Sequence, residues 1–177
     1  MQSKHISAAD MARIALSAAL LAVSAAVTLP LPFGVPMTLQ TFAAVLIGCL
    51  LAPVESAAAV GIYLALGAVG MPVFSGMQGG FSVLVGKTGG FLLGFLPLVV
   101  CCSIARSRKK QSLRTFLCIV GLLCCHFCGV LWFFVLTKST LIQAFLLCSL
   151  PYLLKDLLSL FLAAALAKRI AARLTAA

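Results

Sequence analysis

Residues 14–54 read IALSAALLAVSAAVTLPLPFGVPMTLQTFAAVLIGCLLAPV, a run of 41 residues without one charged side chain. A helix that crosses a bilayer needs about 20 predominantly apolar residues, so this run holds two crossings and a turn. The turn is Pro30-Leu31-Pro32-Phe33-Gly34-Val35-Pro36, because a proline inside a helix removes a hydrogen bond and clashes with the preceding turn. The first two spans are therefore expected over residues 11–29 and 37–52.

Working outward, the charges keep punctuating the chain. A short apolar run gives a third span at 56–70, followed by the Gly-rich stretch Gly70–Gly90. Further spans are expected at 88–105, 115–136 and 152–168, with Pro151 setting off 141–150 as a segment at the outer edge. The reading is a single membrane domain over residues 1–177, all-α, with six transmembrane helices. Composition agrees: of the 177 residues 63% are apolar and 9% charged, against roughly 45–50% and 25% in soluble domains. A soluble globular enzyme and a disordered chain are both excluded. The amino end lacks a short apolar core followed by a small-residue cleavage site, so no cleavable signal peptide is expected.

The formal charge of +10 is a topology signal. Six spans put both termini on one side. That side then receives Lys4, Arg13, the cluster Arg106, Arg108, Lys109, Lys110 and Arg114, and Lys168, Arg169 and Arg173, ten of the thirteen basic residues. Lys87, Lys138 and Lys155 fall at the other side. This is the positive-inside bias of a protein with cytoplasmic termini in a cell (inner) membrane, with some affinity for anionic lipid. No soluble domain and no interleaved aromatics are present to bind nucleic acid.

Two motifs tempt and fail. Gly86-Lys87-Thr88 resembles the end of a phosphate-binding loop, but that motif needs glycine at position 81, which is Phe81. The chain therefore carries no ATPase of its own. Cys124-Cys125-His126-Phe127-Cys128 contains a Cys-x-x-Cys. It sits in the middle of the fifth span, where cysteine is an ordinary small packing residue and His126 an interior hydrogen-bonded one. No metal ligand set, cofactor motif or catalytic constellation is expected, and the chain does not read as an enzyme.

Polar groups within a membrane are costly, about 2.5–3.5 kcal/mol for a central Asp or Lys, so the few that occur are site candidates. Lys155 and Asp156 stand just after Pro151 at the outer start of the sixth span, with Ser159 on the same helical face. They form either a mutual ion pair at the interface or a ligand contact. The Gly-rich stretch offers Phe74 and Phe81 as pocket walls and Gln78 as donor and acceptor. Thr38 and Gln40 enter the second helix from outside, Lys87 lies in an outer loop, and Tyr63 sits in the third span. These candidates gather on the outer half, as suits capture of a small solute from outside. The first span carries small residues at i, i+4, including Ala15 and Ala19, a stripe for internal packing or for a partner membrane protein.

At Ala15-Leu16-Ser17-Ala18-Ala19-Leu20, Val35-Pro36-Met37-Thr38-Leu39-Gln40-Thr41, Gly67-Ala68-Val69-Gly70-Met71-Pro72-Val73-Phe74 and Thr88-Gly89-Gly90-Phe91-Leu92-Leu93-Gly94-Phe95, the sequence resembles the BioY family. These proteins are the biotin-specific substrate-capture (S) components of energy-coupling-factor (ECF) transporters. The resemblance covers about residues 12–97, weakens over 98–150 and recovers over 151–169. It implies the six-helix S-component fold, an outer pocket closed by the first, third and fifth connections, and biotin as substrate. It also implies one transmembrane coupling protein, which Ala15 and Ala19 would contact, and two ATPase subunits. Near the last helix the family has Asp-x-x-Lys with proline five residues before the acid; Pro151 and Asp156 fit, while the lysine position is Ser159 and a lysine stands at Lys155. Lys87 stands where the family often has proline, and Ala52-Pro53-Val54-Glu55 where it often has a basic turn.

Biotin's chemistry matches these residues. Asp156 is expected to accept a ureido N–H in a charge-assisted bond, Gln78 to bond the other polar edge, Lys155 or Lys87 to neutralise the carboxylate, and Phe74 and Phe81 to contact the rings. An S component for another vitamin, and a membrane thiol oxidoreductase using Cys125 and Cys128, are the alternatives.

Overall fold

The computed structural model describes residues 7–31 and 35–174; Lys4 and the Pro32-Phe33-Gly34 part of the first turn lie outside the described residues. Helix α1 (Ala8–Ala26) starts on a capping box: the Ser7 hydroxyl accepts from the Asp10 N–H at 3.2 Å, and the Asp10 carboxylate accepts from the Ser7 N–H at 3.0 Å. It gives way to β1 (Thr28–Leu29), which pairs antiparallel with β2 (Met37–Thr38), Thr28 opposite Thr38. This ribbon, and the bridge between Phe74 and Gln78, are small additions to a mostly helical chain. Two-residue strands have no periodicity to read, and here they only fold the connection between α1 and the next helix back on itself.

Helix α2 (Gln40–Leu50) is followed directly by α3 (Pro53–Ala68), whose proline occupies the first turn, where its missing N–H costs nothing. Then come the one-turn α4 (Phe81–Leu84), α5 (Gly89–Arg106), α6 (Gln111–Thr137), α7 (Leu141–Cys148) and α8 (Leu150–Leu174). The expected 141–150 segment is thus largely helix α7, opened by a Thr140–Gln143 capping box. Helix α6 ends at Lys138, which adopts the left-handed conformation that closes many helices. Among the described residues, four helices, α1, α5, α6 and α8, are long and apolar enough to cross a membrane; α2 and α3 are apolar but shorter.

The length of α2 matters most for the site. Eleven residues rise only about 16 Å, half of a roughly 30 Å hydrocarbon layer. The chain at residues 35–39 is therefore non-helical where a full helix would have continued. Unwound backbone in apolar surroundings is tolerated where the protein satisfies its polar groups. Here α8 does so: the Tyr152 hydroxyl donates to the Val35 carbonyl, and Lys155 Nζ donates to the Thr38 carbonyl at 2.8 Å.

Glycines let α5 and α6 pack closely. A Cβ on Gly94 would meet the Cys125 carbonyl oxygen at 2.9 Å, one on Gly90 the Trp132 Cβ at 2.3 Å, and one on Gly121 the Cys101 Cβ at 2.8 Å. Gly90 and Gly94 are four apart, the spacing at which small residues allow two membrane helices to approach. Trp132 Nε1 donates to the Gly86 carbonyl at 2.9 Å, which ties the loop before α5 to α6. At the other end of the bundle Ser103 Oγ donates to the Gly48 carbonyl at 2.9 Å and lies 2.8 Å from Ser56 Oγ, joining α2, α3 and α5.

Candidate functional site

The unwound entry to α2, the first turn of α2 and the inner faces of α5, α6 and α8 enclose a cavity of about 50 Å³. One side is apolar, from Phe91, Leu92, Phe95 and Leu122; the other is polar, from Thr38, Gln40, Thr41, His126, Tyr152, Lys155 and Asp156. An apolar enclosure with a few convergent polar groups is the usual form of a small-molecule site. Pro36, Ser75 and Thr88 also border a wider vestibule that contains Gln78 and Lys87.

Tyr152, Lys155 and Asp156 stand at i, i+3 and i+4 on α8, one face of one helix. Lys155 is pulled two ways, to the Thr38 carbonyl and to Asp156 Oδ1, with which it forms an ion pair. Asp156 is only 6% exposed. Its second oxygen, Oδ2, lies 3.3 Å from His126 Nε2, and the other ring nitrogen of His126 is 2.9 Å from Ser149 Oγ. Three titratable side chains from two helices thus converge on the cavity wall. Lys155 and Asp156 carry opposite charges, and their pairing offsets the cost of burying them.

Of the residues expected from sequence, Thr38, Gln40, Lys155 and Asp156 line this cavity together. Tyr63 does not line it but supports it: fully buried, its hydroxyl accepts from Gln40 Nε2. Phe74 is turned into the bundle, edge-on to Tyr63 with ring centroids 5.4 Å apart, under Gly67, which has no side chain to block it. Phe81 points outward from α4 and is 67% exposed. Gln78 and Lys87 are in the vestibule, and Ser159 is buried one turn beyond Asp156, away from the cavity. The aromatic walls are instead Phe91, Phe95 and Tyr152. Sequence reasoning passed over these because an aromatic residue in an apolar helix carries no mark of the face it occupies. His126 is interior and hydrogen-bonded as expected, and it is also a cavity residue.

The model of a family described as the BioY family matches residues 1–176. Similar relatives include biotin transporter BioY2 of Lactococcus lactis, 41% identical over 67% of this chain and 66% of the relative. The putative biotin transporter BioYB of Bacillus subtilis is 33% identical over 70% of this chain and 64% of the relative, so these two alignments span just under two thirds of the relatives' own length. A probable biotin transporter BioY of Pyrococcus horikoshii is 31% identical over 92% of this chain and 96% of the relative. A solved structure described as the S-component for biotin from an ECF-type ABC transporter superposes with a TM-score of 0.85 at 20% identity, over 96% of this chain and 94% of that one. That likeness establishes the S-component fold.

Proposed function

The chain belongs to the BioY family, and from that premise we propose that it captures biotin from outside the cell as the S component of an energy-coupling-factor transporter. The observation that carries the reading is the buried Asp156 carboxylate on the cavity wall, flanked by His126 and Lys155. Biotin is a ureido bicycle with two N–H donors and a carbonyl, attached to a carboxylate tail. Asp156 accepts a ureido N–H, and Gln40 or His126 meets the remaining polar edge. The bicycle lies against Phe91, Phe95 and Leu122, and the tail runs toward Lys155 or, through the vestibule, toward Lys87. Expression in a biotin-requiring bacterium tests the reading by uptake of labelled biotin. Uptake should persist in Cys128→Ser, whereas a dithiol oxidoreductase needs both Cys125 and Cys128. Cys125 is buried with its thiol toward the Phe91 carbonyl, which favours packing.

The protein crosses the bacterial cytoplasmic membrane six times, in this reading, with both termini inside. Supporting it, Arg106, Arg114 and Lys168 converge on one end of the bundle, and the cavity and vestibule with Lys87 occupy the other region. The partners are a transmembrane coupling protein and two ATPase subunits. Ala15 and Ala19 border an exposed apolar groove between α1 and α3, together with Ala58, Ile62 and Leu66. Both alanines are exposed, while Ala18 beside them is buried. That split favours docking over internal packing. Ala15→Leu should lower the yield of complex pulled down by the coupling protein and leave biotin binding by the isolated chain unchanged. An undiminished yield would assign the stripe to lipid.

A further inference from the structure

Three cysteines that lie far apart in sequence meet at the end of the bundle opposite the cavity mouth. Cys49 closes α2, Cys102 is in the last half of α5 and Cys118 in the first half of α6, and their three Sγ atoms all lie within 4.8 Å of one another. We propose that they form a binding site for a single soft, thiophilic metal ion of the zinc(II), cadmium(II) or copper(I) kind.

The geometry is close to that of a formed site. A zinc–thiolate bond of about 2.3 Å places tetrahedral sulfurs about 3.8 Å apart, so the trio needs to contract by about 1 Å at most. The ligand set is sulfur alone, the choice that selects thiophilic ions over magnesium or calcium. The frame around it is rigid. A Cβ on Gly48 would meet the Cys102 Cβ at 2.6 Å, so α2 and α5 approach as closely as the missing side chain allows. Ser103, beside Cys102, holds the Gly48 carbonyl, beside Cys49. These contacts fix the backbone that carries two of the three thiols.

A second feature supports the assignment. Cys49 and Cys118 also border a cavity at this end, which Arg106, Arg114 and Lys168 line. It provides a route to the sulfurs and room for a water as fourth ligand. Three thiolates on a divalent ion leave one net negative charge, and the basic side chains offset it. As each metal–sulfur bond forms, the thiol's proton leaves to solvent. The biotin cavity shares none of these three residues.

Titration of the reduced, purified full chain with cadmium ion, followed by the ultraviolet thiolate-to-cadmium absorption, should show one equivalent bound, with release of protons into a weakly buffered solution. Substitutions around a metal's ligands typically cost 10- to 100-fold in affinity, so loss of a ligand itself, in Cys49→Ala, Cys102→Ala or Cys118→Ala, should cost more than roughly 100-fold. Cys101→Ala and the double variant Cys124→Ala/Cys128→Ala should bind as the unaltered chain does. Stabilisation by biotin identifies the variants that remain folded. Cys49, only half-buried, gives the decisive variant should Cys102→Ala fail to fold. Absence of the absorption band in the unaltered chain, its survival in Cys49→Ala, or its loss only in the Cys124/Cys128 variant would overturn the site.

Discussion

Asp156→Asn weakens biotin binding by roughly 10- to 150-fold, the equivalent of losing a hydrogen bond to a charged group, about 1.5–3 kcal/mol. The substitution preserves shape. It removes the negative charge that Lys155 and His126 face, and it places an amide donor where an acceptor is needed. Lys155→Ala separates that lysine's two roles. If its ammonium receives the biotin carboxylate, the variant loses its preference for biotin over a tail-amidated analogue. If it serves only Asp156 and the Thr38 carbonyl, both ligands weaken by the same factor, because the unwound segment at residues 35–39 has lost its anchor. Equilibrium binding of both ligands to the two variants distinguishes these outcomes. Unchanged affinity in folded Asp156→Asn would make Asp156 a structural partner of His126 and not a ligand contact.

The second large effect comes from the α5–α6 seam. Gly94→Leu places a branched side chain where even a Cβ would meet the Cys125 carbonyl oxygen, Cα and Sγ at 2.9–3.0 Å. Those first two atoms are backbone and cannot swing aside, so α6 must move. Overpacking of this kind costs about 1–3 kcal/mol, occasionally more. The displacement carries His126, Cys125 and Leu122 away from Phe95 and opens the cavity wall. Gly94→Leu should therefore lower the melting temperature in detergent and reduce biotin binding together. Gly61→Leu is the control: nothing lies within 4 Å of a Cβ there, and both quantities should hold. A Gly94→Leu protein with unaltered melting and binding would mean that α5 and α6 are not in close contact at Gly94.

How much of this was readable beforehand depends on what each residue costs in a membrane. Lys155 and Asp156 announced themselves because charge in an apolar helix needs a reason, and Gln40 and Thr38 because they are polar at the edge of an uncharged run. Phe74 and Phe81 were not separable. Both are aromatic residues in a Gly-rich stretch, and only the space left by Gly67 decides that one turns inward onto Tyr63 while the other faces out. The second helix was expected over 37–52, and it is helical only over Gln40–Leu50. Hydropathy does not register unwinding, since the tertiary bonds from Tyr152 and Lys155 that permit it arrive from 117 residues away. The Cys49–Cys102–Cys118 cluster has no motif spacing because it joins three helices. Attention fell on Cys125 and Cys128, which have one.

The central claim is that this cavity is built for biotin, and titration of the purified chain with a panel of vitamins tests it most directly. Biotin alone should stabilise the protein against heat and bind in a one-to-one ratio, with the tail-amidated analogue weaker and riboflavin, thiamine and folate without effect. Tight binding of another vitamin, with biotin unable to displace it, would contradict the account.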